Sequence, residues 1–431
     1  MPERRWLILS YFSNIDGMAC AQHLDDRISH LEQAGIRPVL LTGPCGVRWD
    51  TLPHARAPSV APSGVRFEIR HFFRKMRFPD PWSKVLEFLA LLPLYPFYLL
   101  EKIIADLDSQ WSWFPLAAIR GYFLCRKHRP EILYSTGGPS SAPLAAGLFA
   151  RRCSVPWIAE VQDPLVHEDW LRSRRALAVY RWVERFICRR ADAVVFVTDA
   201  ARRRAESRTD TGGRGWVVYP GADPATASAD PLRKGDRCRF AHFGSLGGSR
   251  NIETFLGALG LLFRESPGME SAAGLDLYGT CDRRSKALIR KFSSPGVITV
   301  HGRLPRKESL AAMQRSDVLL LIQNTEEFSV ETIPSKVYEY LQAGRPILGL
   351  VYRNPELAGM LIAQGHMAVD AADPGAVKEG ITRCLARWRE SAPEGPALPP
   401  SSYTVAAAVG RLVAISGDLR ERRTSGEGTD G

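Results

Sequence analysis

Short apolar runs alternate with helix-like stretches along most of this chain, and midway the alternation starts over. WLILS (6–10) reads as a strand, residues 18–34 have helical spacing closed by Gly35, and RPVLLTG (37–43) reads as the next strand. EILYSTGG (131–138) runs into a glycine turn and the small-residue helix SAPLAAGLFARR. PWIAEVQDP (156–164), ADAVVFVT (191–198) and WVVYPGAD (216–223) complete a first series. CRFAHFGSL (238–246), GLDLYG (274–279), GVITVHG (296–302), DVLLLIQ (317–323) and PILGLV (346–351) form a second, with NIETFLGALGLLF, SLAAMQRS and SKVYEYLQAG as helices between them. Strands alternating with helices imply parallel βαβ units and doubly wound sheets. The fold class is therefore α/β, with two Rossmann-like domains, and the polar stretch near 224–236 marks the switch. The expected division is 1–223, 224–402, a last helix over 403–416 after a Pro-rich linker (389–402), and a disordered tail over 417–431.

A chain of 431 residues is long enough for two domains of this kind. Its formal charge of +11 calls for an anionic partner. No zinc-finger spacing, basic zipper or RNA-binding signature is present, so nucleic acid is not the expected one. The eight cysteines are scattered with no CxxC, which suits a reduced, cytoplasmic protein. There is no HExxH or His/Cys cluster, and hence no expected metal. There is no GxSxG, no P-loop and no GxGxxG at the first strand, so no cofactor is expected either. VLEFLALLPLYPFYLL (85–100) is apolar but shorter than the roughly 20 residues that span a bilayer, and it holds two prolines and Glu87. The basic, aromatic RHFFRKMRF (70–78) lies just upstream, and together 70–100 read as a membrane-surface contact at the inner face of the cell membrane. A buried helical hairpin is the competing reading.

Ligands of doubly wound sheets bind beyond the carboxyl ends of the strands, which directs attention to the loops there. FGSLGGSRN (243–251) combines Gly244, Ser245 and the planar fork of Arg250, a combination suited to phosphate oxygens. In ETIPSKVYEYLQAGRPIL (331–348), Glu331 sits in a polar loop and a helix begins near Pro334, with Ser335 and Lys336 at its start. Glu339 lies one turn from Lys336 on the same face. Glu339 there can accept hydrogen bonds from vicinal ribose hydroxyls, and Glu331 can reach a sugar. The plainer alternative is a well-capped helix with exposed carboxylates. In the first half the matching loop is STGGPSS, with Gly137 and Gly138. Asp163 in EVQDP is the best-placed acid there, although a turn-capping role fits it too.

The motifs in this order resemble the retaining GT-B glycosyltransferases of the family-4 type. The resemblance rests on the E-x7-E spacing of Glu331 and Glu339 followed by AGRPIL, on NIDGMACAQHLDDRISHLEQAGIRPVLLTG with its Gly17 loop, and on PWIAEVQDP, VVYPGAD, FGSLGGSRN and VITVHGRLPRKESLAAMQRSDVLLL. Together these cover most of residues 5–385. The resemblance implies two Rossmann-like domains facing across a cleft, the second binding a nucleotide-sugar donor and the first a lipid-linked or glycan acceptor. It implies Glu339 at the ribose, Glu331 as a catalytic residue at the donor sugar alongside Asp163, and Arg250 and Lys336 neutralising the diphosphate in place of a metal. Gly244, Ser245 and Ser335 complete the donor side, and Gly17, Gly137 and Gly138 form the acceptor-side loops. Bacterial cell-surface polysaccharide synthesis is the expected setting. Ser245 stands where the family usually has Arg, Arg250-Asn251 where it has Lys-Gly, and Gln162 where it has the Arg of RDPW. Gly137-Gly138 stands where relatives often carry a histidine, and the Ser245 and Gly137 departures leave open a catalytically silent homologue acting in an assembly complex; a nucleotide-sugar epimerase on the same fold is a further alternative.

Overall fold

The computed structural model describes residues 3–425 except 16, 76–81, 167–172, 225–233, 393 and 396. The chain forms two compact units, Met1–Tyr219 with Ala408–Gly431, and Pro220–Ala407. The first contains β1 (Arg4–Ser10), β2 (Ile36–Thr42), β3 (His54–Arg56), β4 (Ile132–Ser135), β5 (Trp157–Val161), β6 (Ala193–Phe196) and β7 (Gly215–Val217). They pair in the order β3-β2-β1-β4-β5-β6-β7, all parallel. The second contains β8 (Cys238–Phe243), β9 (Ala273–Tyr278), β10 (Ile298–Gly302), β11 (Val318–Ile322), β12 (Ile347–Val351) and β13 (Met367–Asp370). Their order is β10-β9-β8-β11-β12-β13, again all parallel. The two sheets thus share one winding, and both are the Rossmann-like α/β sheets anticipated from the sequence.

Helices cover both faces of each sheet, which is why the central strands read as unbroken apolar runs. Leu7 and Leu9 face a core with Ala142, Ala146, Phe149 and Ile187, while Phe240, Leu320 and Leu348 face one with Phe255, Leu259 and Trp388. Close helix packing explains two small residues. A Cβ on Gly121 would come within 2.6 Å of the Phe149 ring, and one on Gly147 within 2.5 Å of Phe186.

Some elements depart from the sequence reading. β3 and β13 went unanticipated because HAR and MAVD are short edge strands of three and four residues with no apolar run to mark them. WVVYPGAD contributes only Gly215–Val217 as strand. The final helix runs Val405–Thr424, well into the segment expected to be disordered. It is anchored in the first unit, where Leu412 and Ile415 are buried and Arg411 lies 5.1 Å over the Trp216 ring. Most of the stretch read as the domain switch, 225–233, lies outside the described residues, as do 76–78 of RHFFRKMRF.

The apolar stretch 85–100 is helical, but it is not the buried hairpin of the competing reading. Helices Trp82–Leu91 and Tyr95–Ile104 flank a single 3₁₀ turn, and residues 92–104 include no buried side chain. Phe88, Phe97, Ile103 and Ile104 are each more than 60 % exposed, far beyond what a core hairpin would leave open. Polar anchors hold the second of these helices in place. Glu101 accepts hydrogen bonds from Ser63 N at 2.7 Å and Trp111 Nε1 at 2.6 Å, and Arg66 lies 4.5 Å over the Tyr98 ring. Among the described residues no helix is long and apolar enough to cross a membrane.

Candidate functional site

In the second unit the named residues lie on the segments that follow the carboxyl ends of β8 and β11. The helix Lys336–Gln342 starts after Ser335, whose side chain makes no capping hydrogen bond. Glu339 is 4 % exposed, so the alternative of an exposed helix-end carboxylate does not hold. Lys336 Nζ donates to its Oε2 at 2.6 Å, and Arg306 Nε donates to its Oε1 at 3.1 Å. Two cations on a buried carboxylate offset its desolvation and keep it ionised. Glu331 is also buried, at 2 %. Its loop is held by two amide side chains. Gln323 Nε2 donates to the carbonyls of Ser329 (2.7 Å) and Thr332 (3.1 Å), and Asn354 Nδ2 donates to the same pair at 2.7 and 3.0 Å.

The loop after β8 is tightly folded. Gly244 N bonds Tyr278 O, Leu246 N bonds Thr280 O, and Gly247 N bonds Arg250 O, so these amides are committed to protein acceptors. Gly279 has no side chain because a Cβ there would lie 2.0 Å from the Gly244 carbonyl oxygen. Ser245 is exposed and accepts from Thr280 Oγ1 at 2.9 Å. Positive charge at this loop therefore comes from the Arg250 side chain more than from backbone amides. Burial holds the Arg250 guanidinium below its ordinary value, and its Nε has no hydrogen-bond partner. Tyr340 in turn accepts from Phe243 N at 2.8 Å and ties this helix to the end of β8.

His242 was not singled out by sequence reasoning. It is 4 % exposed at the end of β8, and its Nδ1 donates to Leu320 O at 3.0 Å. Burial lowers its pKa to about 4, helped by the charges of Arg250 and Lys336. The neutral ring then carries an acceptor at Nε2, which has no partner and would lie 3.6 Å from a Cβ on Gly244. Arg306, Gln323 and Asn354 were missed as well. The one trace of the last two is a polar side chain just past an apolar strand, in LLLIQN and VYRN.

In the first unit the loops after β1, β4 and β5 converge. A Cβ on Gly138 would meet Asp163 Oδ2 at 3.3 Å and Cys20 Cβ at 3.8 Å. Gly137 (φ +118°) and Gly17 (φ +73°) are both in backbone regions that favour glycine. Gly137, Gly138, Gln162 and Asp163 line a pocket of about 10 Å³, room for roughly one water. Asp163 itself is exposed. Burial and the Asp163 charge push the Cys20 thiol up to about 11, which rules it out as a thiolate near neutral pH. Beneath this pocket lies a buried ion pair. Arg27 NH1 donates to Glu160 Oε1 at 2.7 Å and to Tyr134 Oη at 2.5 Å, while Tyr134 Oη donates to Glu160 Oε2 at 2.6 Å. Burial alone would raise the Glu160 carboxyl, but Arg27 and the Thr136 and Tyr134 hydroxyls outweigh it and hold it below the usual range. Among the described residues no three His, Cys, Asp or Glu side chains come together as a metal site.

Two parallel sheets of this winding are the Rossmann-like fold shared with GT-B glycosyltransferases. Residues 20–220, a little under half of the chain, match the family model described as a glycosyl transferase 4-like domain. The fold is shared along the whole length with Anabaena HepE solved with UDP (12 % identity, TM-score 0.61, covering 98 % of this chain and 100 % of that one). It is shared with a glycosyltransferase from Rickettsia africae (9 % identity, TM-score 0.65, 98 % and 100 %). The lipopolysaccharide outer core galactosyltransferase WaaB in its apo form is also similar (10 % identity, TM-score 0.56, 98 % and 99 %). No curated protein sequence matches.

Proposed function

We propose that this glycosyltransferase homologue moves a sugar from a nucleotide-sugar donor to a lipid-linked acceptor at a membrane surface, within bacterial cell-surface polysaccharide synthesis. The observation that carries the reading is Glu339, buried and ion-paired to Arg306 and Lys336, two side chains that still reach the surface. In this reading Glu339 accepts the ribose hydroxyls and Glu331 the hydroxyls of the donor sugar. Arg250 and Lys336 meet the negative charge that grows on the diphosphate as the glycosidic bond breaks. Stabilising a departing charge with fixed donors is the largest electrostatic task in such a transfer. Positive side chains do it here without a metal, and transfer proceeds with retention. Asp163, beside Gly138, takes the acceptor hydroxyl. The exposed apolar helices of 82–104 bring the protein to the bilayer.

HepE is described with UDP and with UDP-glucose, so UDP is the first nucleotide to try. Calorimetric titration of UDP, GDP, ADP and dTDP into the wild type and into Glu339→Ala tests the donor site. Binding of one nucleotide, weakened at least tenfold by the substitution, supports it. No binding of any of the four would turn the reading towards a silent partner in an assembly complex. Sugar conversion without any acceptor would turn it towards an epimerase.

A further inference from the structure

Beside the acceptor-side loops of the first unit lies a second cavity of about 180 Å³. Trp111, Phe114, Leu144, Val183 and Phe186 form its walls, and Leu148, Val179 and Trp182 stand at its rim, 47 %, 38 % and 55 % exposed. It is therefore open to the outside. Ser140 and Tyr180 are the hydroxyl-bearing residues among the described lining, which is otherwise aliphatic and aromatic. The Tyr180 hydroxyl is already engaged, donating to Asp108 Oδ2 at 2.9 Å and accepting from Asp108 N at 3.0 Å. A dry apolar cavity of roughly this size takes hydrocarbon rather than water.

Three neighbours of the cavity say what kind of hydrocarbon. Ser140 lines both this cavity and the small pocket of Gly137, Gly138 and Asp163, so the two share a wall. Trp111 donates to Glu101 on the exposed apolar helix Tyr95–Ile104, and Lys102 Nζ donates to Leu107 O at 2.8 Å, so that helix is tied to the cavity wall. The helix Arg174–Arg190 that carries Val179, Trp182 and Phe186 also carries exposed Arg175, Arg185 and Arg189, with Arg190 4.9 Å over the Phe186 ring. Cations and aromatic rings on one helix beside an apolar cavity match a phosphate-bearing headgroup joined to an aliphatic chain.

We infer that this cavity holds the first carbons of the aliphatic tail of a lipid-linked acceptor, with the head of that lipid lying over Gly137, Gly138 and Asp163. The inference rests on the lipid-acceptor reading above and adds a tail site distinct from the bilayer-facing helices. It predicts selection for tail length by the protein itself, apart from any membrane.

The test compares farnesyl phosphate with isopentenyl phosphate, which has the same head and a short tail, by calorimetry on the full chain. Two variants act at the rim, Val179→Trp to fill the cavity and Leu148→Asp to place a charge at its mouth. Thermal unfolding confirms that each is folded, and either one suffices. Supporting results are at least tenfold tighter binding of farnesyl phosphate by the wild type, and loss of that preference in a folded variant. Equal affinity for the two phosphates, or an undiminished preference in both folded variants, would overturn the tail site. Sedimentation with vesicles containing 30 mol% phosphatidylglycerol (a test condition, about a third anionic) separates the membrane reading. If the wild type keeps its tail preference but fails to bind vesicles, the tail site stands and the membrane-surface reading falls.

Discussion

The two sheets have the same winding, yet the carboxyl edges of their strands are electrostatic opposites. In the first unit the cation is spent inside the protein. Arg27 and Glu160 have side chains 1 % and 0 % exposed, and each is the other's main partner. In the second unit the carboxylate is buried at 4 %, but its cations, Arg306 and Lys336, stay 37 % and 33 % exposed. Arg250 adds a third positive charge with an unpaired Nε. A closed ion pair neutralises itself and holds the floor of a pocket in place. A buried carboxylate under half-open cations leaves those cations within reach of an anion from outside. One winding therefore supports two opposite chemistries, because the side chains past each strand set the charge and the sheet sets only their positions.

The largest test of this contrast is Arg27→Met, which strands a buried Glu160 charge. It is expected to cost about 3–5 kcal/mol of stability in urea unfolding, and the double variant Arg27→Met/Glu160→Gln should recover much of that. A loss under about 1 kcal/mol would mean that the pair is not the closed neutral unit described. Next comes acid. His242 has a folded pKa of about 4, depressed by burial, against an ordinary value near 6.5. The unfolded chain therefore binds the extra proton, so this contribution is present above pH 6.5 and lost as pH falls towards 4. Between pH 7.5 and 5.0 it amounts to about 2 kcal/mol. The variant His242→Leu should lose that much less stability than the wild type over the same interval, and equal losses would place His242 in a solvated setting.

Binding effects are smaller. Arg306→Ala removes one of the two cations on Glu339 and should weaken nucleotide binding about tenfold, or about 1.4 kcal/mol. The matching change in the first unit, Asp163→Asn, should leave nucleotide binding unchanged while lowering transfer. Nucleotide binding equally sensitive to both would break the division between the units. The smallest effect on folding is expected from Phe97→Ser with Ile103→Ser, within about 0.5 kcal/mol because both side chains are exposed. Vesicle binding should nonetheless fall severalfold, and unchanged binding would count against these helices as the membrane contact.

Much of this could be read along the chain. WLILS, ADAVVFVT and DVLLLIQ declare buried parallel strands because covered sheets need unbroken apolar runs. The E-x7-E spacing marked both site carboxylates. The edge strands His54–Arg56 and Met367–Asp370 could not be read, since an edge strand is short and has no run of its own. The apolar stretch 85–100 was legible as too short to span, but a surface contact and a buried hairpin both fitted its pattern, and only its exposure decided between them.

The sequence alone determined the α/β class and the division into two similar halves, because periodicity is a local property, and it named Glu331, Glu339, Arg250 and Lys336 as candidates. Tertiary structure alone decided which of those groups are buried and what pairs with them. Arg27 meets Glu160 across 133 positions, and Arg306 meets Glu339 across 33. Desolvation and ion pairing depend on distance in space, which no local pattern encodes, and they turn a pair of helix-end carboxylates into a site.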